Sequence, residues 1–375
     1  MVGLARCQPT RSGAAIPGDA QRAVSHAEIS PRGEPTMKQL RIHKFSRDFS
    51  GLRLDDVEAP AVTEQRPLLV RVKASSINPV DIKMVTGESK ALMQGRLPIA
   101  LGVDFCGVVE KLHPTARGFS IGDHVIGYTG IATPRAFSEW IATHPSEVAR
   151  VDQALSFEKL GAIPLNALTA YQALRFGKVA KGSRILIHGG GGGVGSMAIQ
   201  IAKTMGAEIF TTASRKDFEY LNSLGVNRCI DFKAEDFSSE LRDLDFVLDI
   251  MGGAILKKSA KCVRKGGTIV STSAAPHPDE LLKAGLKLNP VLRPILRLMN
   301  EINMRRARSQ GFQFKATVTH PNSDDLKAIA DLVHAGLSAR VGAKIQFREL
   351  PVFLKESSEE HSQPKYTGKT VLCFE

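Results

Sequence analysis

Hydrophobic residues along the chain follow two rhythms. In the second half, a short apolar run at 185–187 reads as a buried strand. Five consecutive glycines follow at 189–193, and Val194, Gly195 and Ser196 then open an amphipathic helix, with Met197, Ile201 and Met205 at four-residue spacing. Comparable runs recur near 207–212, 228–232, 245–250, 267–272 and 312–318, separated by helical patterns. Strands that alternate with helices in this way predict a parallel, doubly wound sheet. In the first half, residues 37 to about 150 are mostly β in character, with strand candidates at 68–72, 105–111, 123–128 and 137–143 and Gly and Pro between them. Residues 322–335 read as a helix capped by Asn322 or Ser323, with Leu326, Ile329 and Val333 on one face and Gly336 at its end. The tail, 370–374, returns to β character.

These patterns divide the chain into an extension at 1–36, a β-rich domain at 37–155, an α/β domain at 156–320 and a closing segment at 321–375. A chain of 375 residues suits two domains. With 43% hydrophobic and 23% charged residues it buries a large core, and it has no apolar run of membrane-spanning length. The extension is rich in Ala, Arg, Ser, Gly and Pro and reads as disordered. Its acids, Asp19, Glu28 and Glu34, make it a poor transit peptide, so the cytoplasm is expected, with the mitochondrion as the alternative if 1–36 is a targeting segment. The five cysteines are scattered without C-x-x-C spacing, which argues against a structural zinc lobe or a disulfide framework.

The net charge of +12 is partly local: residues 281–315 carry eight Lys and Arg against one acid, Glu301. Leu292, Ile295, Leu296 and Met299 interleave there with Arg293, Arg297, Arg305, Arg306 and Arg308. Three readings fit: an amphipathic helix or loop packed on the α/β domain with a solvated face, a membrane-surface contact, or an RNA contact. Stacking aromatics, which RNA binding favours, are not interleaved with these arginines.

The glycine run carries the chemistry. Gly190, Gly192 and Gly195 fit the G-x-G-x-x-G spacing between a strand and a helix, and with Gly193 and Val194 they offer backbone N–H groups and a helix N-terminus to a pyrophosphate. An NAD site usually has Asp or Glu about 20 residues on. Here the strand ends in Ser214, Arg215 and Lys216, a hydroxyl and two cations suited to a 2′-phosphate, so the cofactor predicted is NADP(H). Asp217 and Glu219 are expected on the next helix.

The order of these motifs resembles the medium-chain dehydrogenase/reductase superfamily, in its zinc-free quinone/enone reductase branch. The resemblance rests on the segments 78–83, 102–110, 122–127, 136–141 and 168–174, the glycine run, 249–253 and 368–372. The segment 276–311 is similar to oxidoreductases related to the reticulon-interacting protein. The resemblance implies a GroES-like β-barrel catalytic domain joined to a Rossmann cofactor domain, and a homodimer. It places Asn78 and Lys83 at the cofactor cleft as the catalytic candidates, Thr169 and the chain around Ser273 beside the nicotinamide, and Phe232 near the adenine. Where zinc-dependent members carry Gly-His-Glu, this chain reads Gly102, Val103 and Asp104, and the early ligand Cys is replaced in the neighbourhood of Ser76, Ile77 and Asn78. Asp104 is therefore expected as a core hydrogen-bonder, and no metal is expected. Arg135 departs from the family's usual Gly. His188 is expected to be structural and Cys106 inert.

The activity implied is zinc-independent hydride transfer from NADPH to a small-molecule carbonyl or quinone substrate, a quinone or an α,β-unsaturated carbonyl. The alternative is an NADPH-sensing binding protein that contacts RNA, membrane or a protein partner through 281–310.

Overall fold

The structure is a computed structural model and describes residues 35–90, 93, 95–359 and 367–374. The expected disorder of the extension falls on 1–34, outside the described residues, and Thr36 already begins a strand.

The first half contributes β1 (Thr36–Ile42), β2 (Leu52–Glu58), β3 (Leu68–Ser76), β4 (Ile99–Ala100), β5 (Asp104–Leu112), β6 (His124–Tyr128), β7 (Trp140–Thr143) and β8 (Val148–Val151). The second half contributes β9 (Arg184–His188), β10 (Glu208–Ala213), β11 (Arg228–Asp231), β12 (Leu244–Asp249), β13 (Val263–Ser271) and β14 (Gln313–Ala316). The closing segment adds β15 (Val341–Gln346) and β16 (Lys369–Cys373).

The β-rich unit is one sheet in the order β15-β16-β3-β5-β6-β8, with β7 also on β3, beside a small sheet β2-β1-β4. In β3, Val70, Val72 and Ala74 are fully buried while Arg71 and Lys73 are only partly covered, the alternation of a strand with one face on a core. The α/β unit is fully parallel, in the order β11-β10-β9-β12-β13-β14. Its central strands are covered on both faces, with Ile185, Leu186, Ile187, Val247 and Leu248 at 0% exposure. The chain order reverses between β9 and β12, so a crevice opens at their carboxyl ends, the usual ligand position in such sheets.

Two glycines are required at that crevice. Gly189 leaves β9 at φ 65°, in the left-handed region. A Cβ on Gly195 would stand 2.3 Å from the Gly189 carbonyl oxygen, so the helix Gly193–Thr204 approaches β9 this closely only with glycine there.

The closing segment ties the two units together. The helix Ser323–His334 begins at Asn322, whose side chain accepts from the Asp325 N–H at 2.9 Å, and it buries Leu326, Ile329 and Val333. Gln172, on the helix Pro164–Phe176, donates to His320 O at 2.9 Å and to Asp325 Oδ2 at 3.0 Å, and Arg175 pairs with Asp325. β16 then runs antiparallel to β3, with Val371 opposite Ser76.

The strand expected at 137–143 is shorter, Trp140–Thr143. The preceding residues form a turn in which the Arg135 and Ala136 N–H groups both donate to Gly102 O, at 2.7 and 2.9 Å. Arg135 braces this turn from inside: its guanidinium donates to Ala142 O and Thr133 O and pairs with Glu147 at 2.5 Å, both side chains being largely buried. Arg135→Ala would leave Glu147 without its counter-charge and is expected to cost about 3 kcal/mol. Urea unfolding measures this as a lower midpoint with an unchanged slope.

Candidate active site

The glycine turn and the closing segment face each other across a narrow cleft. Gly191, Gly192, Gly193, Ser196 and Met197 line one side, and Ala162, Ala339, Arg340, Gly368 and Lys369 line the other. Gly192 caps the helix Gly193–Thr204 in an extended conformation, which leaves the N–H groups of the first turn without intrahelical partners. A Cβ on Gly192 would meet only the Gly189 oxygen, at 3.3 Å, so its outer side is open to an anion. Gly190 and Gly193 are held by packing instead: a Cβ there would lie 2.2 Å from Thr211 Oγ1 and 2.7 Å from Asn166 Oδ1. Val194 is partly exposed in the first turn.

At the end of β10, Ser214 is partly exposed and Arg215 and Lys216 are exposed. Asp217 is not on the following helix, Phe218–Ser223, as expected; it ends a tight turn, Arg215–Asp217. Its buried carboxylate faces the glycines, with Oδ2 2.6 Å from where a Cβ on Gly191 would stand. Arg340 neutralises it, with Nη1 3.0 Å from Asp217 Oδ1 and the guanidinium 4.7 Å over the Tyr220 ring. Phe232 follows β11 and is 56% exposed. Thr169 is buried on the helix Pro164–Phe176, and its hydroxyl bonds Leu165 O and the Thr319 hydroxyl, both at 2.7 Å. Ser273 is exposed, its hydroxyl donating to Ile250 O at 2.7 Å.

His188 sits between the Thr212 and Ser259 hydroxyls at 3.0 and 2.8 Å. Burial pushes its pKa down to about 4, so the ring is neutral and structural. Cys106 is buried, and burial raises its thiol well above the ordinary range, which suppresses the reactive thiolate.

Beneath the cleft lies a buried polar network. Asn78 precedes the short helix Pro79–Val85, and Asp81 accepts its N–H at 2.9 Å. Asn78 Nδ2 donates to Ser76 O and to Asp104 Oδ1, both at 3.0 Å. Asp104 also accepts from the Ser76 hydroxyl at 3.2 Å and from the Leu165 N–H at 3.4 Å. Lys369 enters from β16: its ammonium donates to Ile77 O at 2.6 Å and to Asn78 Oδ1 at 2.7 Å. Burial pushes the Lys369 pKa down, while the Asp104 and Asp81 charges push it back up. Burial raises Asp81 to about 7, with the neighbouring Asp104 charge adding to the rise. Burial likewise raises Asp104 to about 6, against Lys369 and the bonds from Asn78, Leu165 and Ser76.

The structure therefore joins Asn78 to Lys369, not to Lys83. Lys83 lies on the exposed side of the helix Pro79–Val85, apart from this network. Lys369 and Arg340 were not singled out by the sequence reading. Lys369 belongs to the segment 368–372, but its partner stands 291 residues away and only the pairing of β16 with β3 connects them.

Comparisons with known proteins agree with this architecture. A model described as the alcohol dehydrogenase GroES-like domain matches residues 64–153, and one described as zinc-binding dehydrogenase matches residues 193–319. The chain is 28% identical over 352 residues to "Reticulon-4-interacting protein 1, mitochondrial" of Caenorhabditis elegans, covering 88% of this chain and 94% of that one. It is 34% identical over 255 residues to the "2-methylene-furan-3-one reductase" of Solanum lycopersicum, covering 63% of this chain and 64% of the relative. Among solved structures, the quinone oxidoreductase from Coxiella burnetii superposes with a TM-score of 0.74 at 28% identity, over 90% of this chain and 99% of that one.

A GroES-like domain joined to a Rossmann-type domain defines an alcohol dehydrogenase-like oxidoreductase that works with a nicotinamide cofactor. Within that class the chain belongs to the medium-chain dehydrogenase/reductase superfamily, in its quinone/enone oxidoreductase branch.

The raised carboxyls make stability depend on pH. The folded state holds protons at Asp81 and Asp104 that the unfolded chain releases near its ordinary carboxylate value of 3.8. Their stabilising contribution is complete below that value and is lost as pH rises through about 6 and about 7. Asp81→Asn removes one of these groups. Relative to the wild type, this variant is expected to gain stability between roughly pH 5 and pH 8, read as urea midpoints at both ends. A constant difference across that window would show that Asp81 does not titrate there.

Proposed function

We propose that the chain is a zinc-independent, NADPH-dependent reductase of quinones or α,β-unsaturated carbonyls. The observation that carries the reading is the Lys369–Asn78–Asp104 network, at the place where the sequence departs from the zinc-dependent pattern. A zinc site needs several N, S or O ligands at about 2.0–2.3 Å. Here the Asp104 oxygens already accept from Ser76, Asn78 and Leu165, and Lys369 places a positive charge beside Asn78. Among the described residues there is no group of three or more His, Cys, Asp or Glu able to hold a metal ion. This donor set does not fit zinc.

The cradle fits a dinucleotide. Gly190, Gly192, Gly193, Val194 and Gly195 receive the pyrophosphate at the helix N-terminus. Ser214, Arg215 and Lys216 take the 2′-phosphate, and Asp217, tied up by Arg340, does not compete for the ribose. Phe232 offers its exposed ring to the adenine, and Thr169 borders the nicotinamide. The bound cofactor supplies the hydride. Both amide hydrogens of Asn78 are engaged by Ser76 O and Asp104, so Asn78 acts by holding Lys369 in place, and the Lys369 ammonium, with one N–H left over, favours the oxyanion that develops on the acceptor carbonyl. Lys83, exposed on the helix Pro79–Val85 and apart from this network, acts through a high dielectric and contributes less than Lys369. The second proton comes from water. The family implies a homodimer; the acids of the extension point to the cytoplasm, with the mitochondrion as the alternative if 1–36 directs import.

NADPH consumption with an ortho-quinone and with a simple enone tests this reading. NADPH-selective turnover that survives a chelator is expected, and loss of activity on chelation would refute zinc independence. Ser214→Ala with Arg215→Ala is expected to narrow the NADPH/NADH preference about tenfold, one such pair of contacts being worth roughly 1.4 kcal/mol. An unchanged ratio would show that these residues do not read the 2′-phosphate.

A further inference from the structure

The helix Leu292–Ser309 is packed on one side only. Asn300 and Ala307 are buried, and Asn300 Nδ2 donates to Ala275 O at 3.2 Å. On the opposite side Val291, Ile295, Leu298 and Ile302 are 70%, 50%, 64% and 44% exposed. At 3.6 residues per turn these four lie within about 60° of arc, centred opposite Asn300 and Ala307. An apolar stripe facing away from the core contributes nothing to folding and marks a contact surface.

The charge around the stripe selects the partner. Arg305 and Arg306 fall just outside its two margins, at about 20° on either side. Glu301, the one acid in 281–315, is already engaged by Arg305 at 3.2 Å and by Arg308 at 2.9 Å. Arg293 and Arg297 lie nearer the Asn300 side, at about 20° and 60° from it, and do not border the stripe. No aromatic residue occurs between 281 and 311 to stack on a base. A second copy of this face would set arginines against arginines. An anionic lipid surface satisfies both features at once, taking the stripe among its acyl chains and the arginines among its headgroups. No helix of the described residues is long and apolar enough to cross a membrane, so the contact would be one that lies on the surface.

We propose that the helix Leu292–Ser309 docks the protein on a membrane surface rich in anionic lipid. The proposal does not rest on the redox reading of the cleft.

The test is flotation of the full chain with phosphatidylglycerol–phosphatidylcholine vesicles and with phosphatidylcholine vesicles, for the wild type and two double variants. Leu298→Glu with Ile302→Glu breaks the stripe, and Arg305→Glu with Arg306→Glu reverses the charge. Exposed substitutions leave the thermal unfolding midpoint close to the wild type, which separates lost docking from lost fold. The expected result is salt-sensitive binding to the anionic vesicles only, weakened at least about tenfold in each variant. No binding to anionic vesicles, equal binding to neutral ones, or unchanged binding of both variants would overturn the proposal. A dimer in sedimentation equilibrium that the stripe variant dissociates would assign the face to a second copy and overturn it equally. RNA binding that only the arginine variant loses would do the same.

Discussion

A lysine ammonium can be withdrawn from water only where other groups replace its hydration. That constraint organises the centre of this protein. Lys369 reaches Ile77 O and Asn78 Oδ1 because β16 pairs antiparallel with β3, and Asp104 and Asp81 stand close enough to hold its charge. The bonds work in both directions. Lys369 on Asn78 Oδ1 fixes which way the amide points, so Nδ2 must face Asp104 and Ser76 O. Asp104 in turn accepts from Leu165, at the start of the helix Pro164–Phe176, which carries Thr169, Gln172 and Arg175 to the closing segment. One buried charge thus connects the barrel, the cofactor domain and the C-terminal return.

The cofactor domain meets a different constraint, close approach of backbone. Gly195 lets a helix lie against β9, and Gly192 leaves the outer side of the helix N-terminus open. Across the cleft from that turn, Arg340 and Lys369 supply positive charge from the other domain. The backbone wall attracts an anion, and on the other wall Arg340 cancels the Asp217 charge that would repel one. The cleft is completed only when the chain returns to the barrel, so the distant C-terminal segment is part of the site.

Much of this was legible in the sequence because it is local. The strand–glycine–helix unit spans 20 residues, and its apolar periodicity and glycine spacing report its geometry directly. The alternation of strands and helices announced the parallel sheet, and Asn322 and Gly336 bracket a helix as caps do. What stayed hidden depends on long-range register. Lys369 is an ordinary lysine in a polar tail until strand pairing brings it to Asn78. Arg340 is a surface cation until it is seen against Asp217 and Tyr220. Asp217, expected on a helix, faces the glycines because a tight turn of three residues intervenes. Arg135 read as a departure from pattern; it became a structural brace because Glu147, twelve residues later, folds back onto it. Hydrophobic periodicity tells which face of an element is covered, and not which distant polar group will meet another.

The central claim is that Lys369, held by Asn78, polarises the site in place of a metal. The most direct measurement is single-turnover reduction of an ortho-quinone by NADPH in the wild type, Lys369→Met and Lys369→Arg, with NADPH affinity and the pH profile recorded on the same samples. The account predicts a single-turnover rate about 100-fold lower in Lys369→Met, in the range lost when one oxyanion-stabilising group is removed, with NADPH affinity held within a few-fold. It also predicts partial recovery in Lys369→Arg and a displaced acid limb of the profile, since the Asp104 and Asp81 carboxyls lose their neighbouring charge. A wild-type single-turnover rate and an unshifted profile in Lys369→Met would contradict it.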